Sequence, residues 1–193
     1  MKQSVLSLLT IKTYLLTERK SMYRIESDRI IFREMTAEDT DMVLTWRNSD
    51  LVRSTFIYQP IITKEEHLSY IENKIKTGNV IQFVMVEKAS DKPFGCVYLK
   101  DLNKEHSTAE FGIFIGDVNY IGKGFGTEAA ITIKKFAFNE MKLHKVKLRV
   151  IDTNTRAIKS YQKAGFHVEG TLEDEVIING KYITLFLMGA INK

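Results

Sequence analysis

One glycine-rich stretch decides how this chain folds, and it reads Ile121-Gly122-Lys123-Gly124-Phe125-Gly126. It follows an apolar, β-branched run over residues 108–115 and precedes a segment whose apolar residues recur at helical spacing. Glycines at alternate positions before a helix expose consecutive backbone N–H groups, and the helix dipole adds partial positive charge there. The stretch is therefore typical of a loop that binds a pyrophosphate, although a merely flexible loop has the same composition.

Two familiar phosphate-binding motifs do not fit this stretch. The P-loop needs a serine or threonine after its lysine, but Gly124 follows Lys123, and Gly116 lies one residue too far upstream. The dinucleotide fingerprint needs its third glycine at position 127, whereas the third glycine here is Gly126. Nucleotide hydrolysis and hydride transfer are therefore disfavoured.

The segments on either side of the loop predict one α/β domain. Thr36 and Thr63 each begin a capping box that opens a short helix, and Asn154 is placed to cap a later one. Asn179-Gly180 is a strong hairpin signal, and the other short connections also favour antiparallel neighbours. We predict a mixed, mostly antiparallel central sheet of about seven strands, flanked by helices on both faces. The expected strands cover residues 29–34, 81–87, 94–102, 108–115, 145–151, 166–178 and 182–190.

Composition and charge exclude several classes of protein. The chain has 193 residues, of which 44% are hydrophobic and 27% are charged, as in a globular domain. The single cysteine, Cys96, allows no intrachain disulfide, and no apolar run approaches the ~20 residues of a membrane helix. Residues 1–21 carry +3 of the formal net charge of +4, so the rest lacks a nucleic-acid binder's basic face. We expect a cytoplasmic protein with no nucleic-acid or membrane partner.

The first 21 residues are expected to be an extension of the domain. Their apolar residues follow a loose helical stripe, but Thr10, Lys12 and Thr13 interrupt the apolar centre that a secretory signal needs. No small-residue cleavage pattern follows. We predict an amino-terminal extension over residues 1–21, either amphipathic or upstream of a true start at Met22, and one domain over residues 22–193.

Two segments resemble the GNAT acetyltransferases. The loop and the following Thr127-Glu128-Ala129 resemble the family's acetyl-coenzyme A loop, Q/R-x-x-G-x-G/A, in which Gly124 and Gly126 take the small positions. Ile121 departs from the pattern, because the family prefers a basic or amide side chain there. Residues 154–166 resemble the family's second motif, N-x-x-A-x-x-x-Y-x-x-x-G-F. The resemblance covers residues 23–190 in element order and implies the GNAT fold.

The resemblance implies an N-acetyltransferase that moves acetyl from acetyl-CoA to a primary amine by direct attack in a ternary complex. This reaction needs a neutral amine, a stabilised oxyanion and a proton for the departing thiolate. In the family, the tyrosine at the position of Tyr161 protonates the sulfur; simple packing beside Phe166 is the alternative. Glu110 is the candidate base, with a solvated carboxylate paired to a lysine as the alternative. The retained Tyr161 disfavours a non-catalytic acetyl-CoA sensor.

By the same resemblance, acetyl-CoA contacts the loop, the strand before it and a later helix. Asn154 contacts the pantetheine arm or the catalytic region, although alone it is simply a good helix N-cap. The backbone near Phe114 and Ile115 pairs with pantetheine and polarises the thioester carbonyl. The other expected cofactor contacts are Gly122, Lys123, Gly124, Phe125, Gly126, Thr127 and Lys159.

Neither a covalent nucleophile nor a metal is expected. Cys96 lies in a predicted strand without an obvious histidine partner, and lone cysteines are usually small buried hydrophobes. The histidines lack metal-ligand spacing, and only His67, on a helix beside the expected substrate cleft, is placed to touch substrate.

The sequence leaves the acceptor amine open. Residues 46–71 resemble GNAT enzymes that acetylate nucleotide-linked amino sugars, whereas residues 165–182 resemble spermidine and ribosomal-protein N-terminal acetyltransferases. Arg47, Tyr58 and His67 are the expected substrate contacts. A nucleotide sugar needs basic and aromatic contacts, which Arg47, Arg53, Phe56 and Tyr58 could supply. We therefore expect an amino sugar first, a peptide amino terminus second and a polyamine third. Carboxy-terminal strands in the family often join two subunits, which leaves a homodimer open.

Overall fold

The structure is a computed structural model that describes Tyr23 and residues 25–193. The predicted extension over residues 1–21 lies outside the described residues. The described part of the chain forms one eight-stranded sheet in the order β1-β2-β3-β4-β5-β6-β8-β7. The strands are β1 (Ile25–Glu26), β2 (Ile30–Glu34), β3 (Ile81–Glu87), β4 (Lys92–Asn103), β5 (Thr108–Ile115), β6 (Lys145–Ile151), β7 (His167–Ile178) and β8 (Lys181–Ile191).

Five α-helices connect these strands within the described residues. They are α1 (Thr40–Arg47), α2 (Asp50–Arg53), α3 (Lys64–Tyr70), α4 (Phe125–Asn139) and α5 (Thr155–Lys163). Both predicted capping boxes are present, with Thr36 before a 3-10 turn that leads into α1 and Thr63 before α3. A π-helical turn, Ile71–Ile75, extends α3.

The predicted α/β architecture is confirmed, with two differences of detail. The two-residue strand β1 and the four-residue helix α2 were not predicted, so the sheet has eight strands rather than about seven. Both elements are shorter than the span over which apolar periodicity can be recognised. Ser49 begins α2 by accepting a hydrogen bond from the Val52 N–H at 3.4 Å.

Alternating residues of β3 place a hydrophobic core on each face of the sheet. Phe83 and Met85 belong to the larger core, which includes Ile133 and Phe136 of α4. Val84 and Val86 belong to the second core, which α1 and α2 cover. Because successive side chains of a strand point to opposite faces, one buried strand supports both layers.

The sheet divides between β5 and β6, the only parallel pair among the described strands. Thr108 to Glu110 pair with Lys145 to Lys147, and beyond these residues the two strands show no further pairing. β5 continues to Ile115 and β6 to Ile151, so their far ends diverge. The backbone of the second half of β5 therefore has one edge without a strand partner in the described structure.

Candidate active site

A cleft of about 870 Å³ opens where β5 and β6 diverge. Its walls come from the glycine-rich loop and α5 at one end and from α1, α3 and the segment between them at the other. Its volume lies within the range of small-molecule and cofactor sites. Most residues that the sequence assigned to cofactor, and all three that it assigned to substrate, line one continuous cavity. Lys123 and Phe125 are not among its lining residues, and the Phe125 side chain is buried in the larger core.

The glycine-rich loop adopts the backbone conformation that its composition favours. Gly122 and Gly124 have φ values of +78° and +85°, in the left-handed region that glycine enters at least cost. Gly124 is the N-cap of α4, and the first helical bond joins the Glu128 N–H to its carbonyl at 3.0 Å. The N–H groups before Glu128 lie outside the helical ladder. This end of the helix is suited to bind a diphosphate.

The turn between β1 and β2 fastens this loop in place. Ser27 Oγ and the Arg29 N–H donate to Glu128 Oε1 at 2.7 and 2.9 Å, and the Arg29 guanidinium pairs with Oε2 at 2.6 Å. Arg29 also donates to the Lys123 carbonyl at 3.2 Å and stacks 4.1 Å from the Phe125 ring centroid. Burial alone would raise the pKa of Glu128, but these hydrogen bonds lower it. The loop is therefore held in shape by residues far away in sequence.

Helix α5 forms the opposite wall of the cofactor end. Asn154 accepts a hydrogen bond from the Ala157 N–H at 3.2 Å, so its N-cap role is confirmed. Thr127 and Ser160 join α4 to α5 through their hydroxyls at 2.8 Å. Cations on α5 line the same cavity and complement the loop N–H groups; they are Arg156, Lys159 and Lys163. This donor set fits an anionic cofactor with a diphosphate.

Tyr161 lines the cleft from α5. Its ring makes edge contacts with Phe111 and Phe166, at centroid distances of 6.1 and 6.2 Å. Burial raises the pKa of the Tyr161 hydroxyl, so the phenol carries its proton at neutral pH. Tyr98 lines the same cleft, and burial raises its pKa to about 12. A protonated phenol is the form that a general acid requires.

Glu110 lies where β5 and β6 begin to separate. Lys100 and Arg149 contact its Oε1 at 3.1 and 3.2 Å, and only 12% of its side chain is exposed. The lysine follows from the β4–β5 register, which places Lys100 directly opposite Glu110. The carboxylate of Glu110 therefore lies between two cations at the wall of the cleft. The predicted role of Glu110 as general base remains a prediction, and proton transfer through water stays open.

Phe114 and Ile115 line the cleft on β5, beyond the last residue that pairs with β6. They pair with β4 on one side only, opposite Cys96 and Gly95. The free edge of β5 is therefore in the position where the sequence predicted pairing with pantetheine. Cys96 itself is fully buried, and burial raises its pKa, which fits an inert thiol.

The acceptor end contains two buried polar side chains, Arg47 and His67. Arg47 is 7% exposed, donates through Nη2 to the Tyr58 carbonyl at 2.5 Å and stacks 3.9 Å from the Phe56 ring centroid. His67 is 6% exposed, and its Nδ1 lies 3.1 Å from Thr40 Oγ1. Arg47 Nη1 and His67 Nε2 are buried without a hydrogen-bond partner among the described residues.

The structure refines the sequence prediction at this end of the cleft. Tyr58 lines the cavity, but its residue surface is 60% exposed and its contact with Arg47 is made by the backbone carbonyl. Phe56, which the sequence suggested as an aromatic contact, lines the cavity, and so does Tyr98, which was not predicted. Only the three-dimensional arrangement brings Tyr98 to the cavity that Arg47 lines, because the two residues lie on different elements.

The described residues include no group of three or more His, Cys, Asp and Glu side chains placed to bind a metal ion. None of the helices in the described part of the chain has the length and hydropathy that a membrane crossing needs.

The fold and site define a coenzyme A-dependent acyltransferase, and comparison with known proteins identifies the family. Residues 29–167 match the acetyltransferase (GNAT) domain. The chain belongs to the GNAT family and is an acetyl-CoA-dependent N-acetyltransferase. The family resemblance and the co-substrate that the sequence predicted are confirmed.

Several relatives are named spermidine N(1)-acetyltransferase. One from Vibrio cholerae serotype O1 is 30% identical over 156 residues, covering 81% of this chain and 89% of the relative. One from Escherichia coli K12 is 35% identical over 150 residues, covering 78% and 79%. The crystal structure of spermidine N-acetyltransferase from Vibrio cholerae with CoA and spermine matches with a TM-score of 0.80 at 26% identity, covering 86% of this chain and 96% of that one.

Proposed function

We propose that the acceptor is a primary amine carried by a small molecule. The observation that carries the proposal is the single cleft, in which the loop and Tyr161 lie at one end and the buried Arg47 and His67 lie at the other. An acceptor held by Arg47 and His67 would present its amine toward the loop and Tyr161. The relatives named for a small amine, spermidine, support the same proposal.

In this proposal each residue has a defined task. The loop N–H groups before Glu128, with Lys123 and Lys159, hold the diphosphate, and the free edge of β5 near Ile115 aligns the pantetheine arm. The acetyl thioester supplies the carbonyl that the amine attacks. Tyr161 donates a proton to the departing sulfur, and Glu110, directly or through water, receives the proton that the amine loses.

Polyamines are the acceptor class that the comparisons favour over the amino sugar expected first from the sequence. The support is the identity of 30 to 35% with two spermidine acetyltransferases. The cleft of this chain includes two carboxylates, Glu66 and Glu110, that would attract ammonium groups. Both are already engaged, because Glu66 closes the capping box with Thr63 and Glu110 pairs with two cations.

An amino sugar or another amine with an acidic substituent is a second candidate, which a specific observation favours. Arg47 brings a buried cation to the acceptor end, and Phe56 stacks against it. A cation and an aromatic ring suit a phosphorylated or nucleotide-linked sugar better than a polyamine.

The activity can be tested with the purified full chain, acetyl-CoA and a panel of amines that includes spermidine, D-glucosamine and a peptide with a free amino terminus. We expect thiol release and an acetylated small amine by mass spectrometry. Tyr161→Phe should lower kcat by about 10²- to 10⁴-fold, the range of general acid catalysis. Tyr182→Phe, at an exposed position of β8, is the control. Acetylation of the peptide alone would contradict the small-molecule proposal.

A further inference from the structure

The two unpartnered buried atoms at the acceptor end require an explanation. Buried polar groups are nearly always hydrogen-bonded, because leaving one unpaired forfeits its bonds to water. Arg47 Nη1 and His67 Nε2 both lack a partner among the described residues, and both residues are more than nine-tenths buried. They come from different helices, α1 and α3, yet line the same cleft.

The surroundings of Arg47 offer no carboxylate to neutralise it. The acidic residues that flank Arg47 in sequence are committed elsewhere, since Asp50 pairs with Arg53 and Asp41 pairs with Lys64. The two carboxylates that line the same cleft, Glu66 and Glu110, are engaged in the capping box and with two cations. Burial lowers the pKa of Arg47, and no Asp or Glu counters that effect. A buried guanidinium without a counter-ion is unfavourable for folding alone, which points to a ligand.

The geometry constrains what that ligand can offer. The contact with the Tyr58 carbonyl and the stacking on Phe56 hold the guanidinium plane, and Nη1 remains available as a donor. His67 can donate from Nε2 when its Nδ1 accepts the Thr40 hydroxyl proton. Two donors, one of them permanently charged, match the oxygens of a carboxylate or a phosphate.

Resting on the proposed small-amine activity, we propose that Arg47 Nη1 and His67 Nε2 bind an acidic group of the acceptor, so that the enzyme selects amines that also carry a carboxylate or phosphate. Polyamines are disfavoured by the same pair. A second ammonium group at this position would face a buried, unneutralised guanidinium, and like charges repel. The acceptor specificity of this chain therefore differs from the spermidine specificity for which its relatives are named.

Matched amines test this specificity directly. 1,4-Diaminobutane and 4-aminobutanoate have the same chain length and differ in one end group, and D-glucosamine and D-glucosamine 6-phosphate differ in one phosphate. We expect the acidic member of each pair to have a kcat/KM higher by about tenfold or more, as for a charge-assisted hydrogen bond. Spermidine is included as the polyamine. Faster turnover of spermidine and 1,4-diaminobutane than of both acidic amines would overturn the inference.

Variants assign the preference to Arg47. Arg47→Met keeps the length without the charge and should reduce the preference to within about threefold, mainly through KM. Arg47→Lys restores the charge but not the planar fork and should recover part of the preference. Lys64→Gln removes a cation from the same part of the fold, outside the cleft, and should leave the preference unchanged. An unchanged preference in a folded Arg47→Met protein would refute the role of Arg47.

A binding measurement separates this inference from the proposed activity. D-Glucosamine 6-phosphate is titrated calorimetrically onto the CoA-saturated full chain and onto its Arg47→Met variant. If no amine is acetylated but binding depends on Arg47, the acidic-group site stands and the proposed activity fails. If amines are acetylated but neither binding nor preference depends on Arg47, the activity stands and the site is refuted.

Discussion

Two glycine substitutions test whether the backbone of the loop holds the cofactor. Gly124 has a φ of +85°, and a Cβ placed on it would meet only Arg29 Nη2, at 3.5 Å. An alanine there has space, so its cost is conformational. Gly126 has no positive φ, and its Cβ would meet Ile115 Cδ1 and Ser160 Oγ at 3.7 Å, an ordinary contact. The two substitutions add the same methyl group, but only Gly124→Ala places an L-residue in the left-handed backbone conformation.

The magnitude follows from the left-handed conformation. An L-residue pays about 1–2 kcal/mol to adopt it. In Gly124→Ala this cost is divided between two measurable quantities. If the loop keeps its shape, the apoprotein loses about 1–2 kcal/mol of unfolding free energy; if the loop relaxes, acetyl-CoA affinity falls by up to about 30-fold. Gly126→Ala should leave affinity within about threefold and raise stability by up to about 1 kcal/mol, because alanine favours helix.

Chemical denaturation of the apoprotein and calorimetry with acetyl-CoA measure the two quantities. The losses in unfolding and binding free energy for Gly124→Ala should sum to about 1–2 kcal/mol. Gly180→Ala is the matched control, since Gly180 has a φ of +74° with open space around its Cβ but lies in the distant β7–β8 turn. It should cost stability without affecting affinity. A tenfold loss of affinity in Gly126→Ala, with no loss of either kind in Gly124→Ala, would refute a backbone cradle.

Three further predictions concern the residues around the cleft. Arg29→Leu should raise the acetyl-CoA Kd, measured by calorimetry, by no more than about fivefold, because its pair with Glu128 is solvent-accessible. A larger increase would contradict this and would mean that Arg29 itself binds the ligand. Burial lowers the pKa of His67, so below pH ~6.5 the unfolded chain binds more protons than the folded one, and the free energy of unfolding should decrease as the pH is lowered. Denaturation of His67→Gln should show a smaller decrease over the same pH range, and an identical slope would contradict the prediction. Burial raises the pKa of Tyr161, so a plot of kcat against pH should show no decrease from its ionisation up to pH ~10. A decrease of kcat at high pH in the wild type that is absent from Tyr161→Phe would contradict this.

The parts of the site that could be predicted from sequence are local in the chain. The loop over residues 121–127 and the helix that Asn154 caps depend on neighbours within a few positions. Left-handed glycines, N-caps and the turn at Asn179-Gly180 are set by local backbone chemistry, so their residue types reveal them. The nearly continuous apolar run of β3 likewise indicates a strand that is buried on both faces.

The remaining features depend on contacts between distant residues. The ion pair between Arg29 and Glu128 joins residues 99 positions apart, and no local sequence pattern at either residue predicts it. Asn48 is the C-cap of α1, and its side chain also bonds both backbone groups of Ile62, at 2.8 and 2.9 Å. The unpartnered nitrogen of Arg47 is a consequence of burial. Residue identity predicts a cation there but not that it lacks a counter-ion.

The division between local and distant contacts also explains why donor and acceptor specificity can diverge in this fold. Acetyl-CoA is expected to bind through backbone N–H groups and a free strand edge, which many side-chain sets can provide. The acceptor end depends on individual side chains of α1 and α3, where a single residue such as Arg47 adds a buried positive charge to the cleft. Sequence identity of about a third, spread over the domain, is therefore sufficient to conserve the acetyl donor while leaving the acceptor free to change.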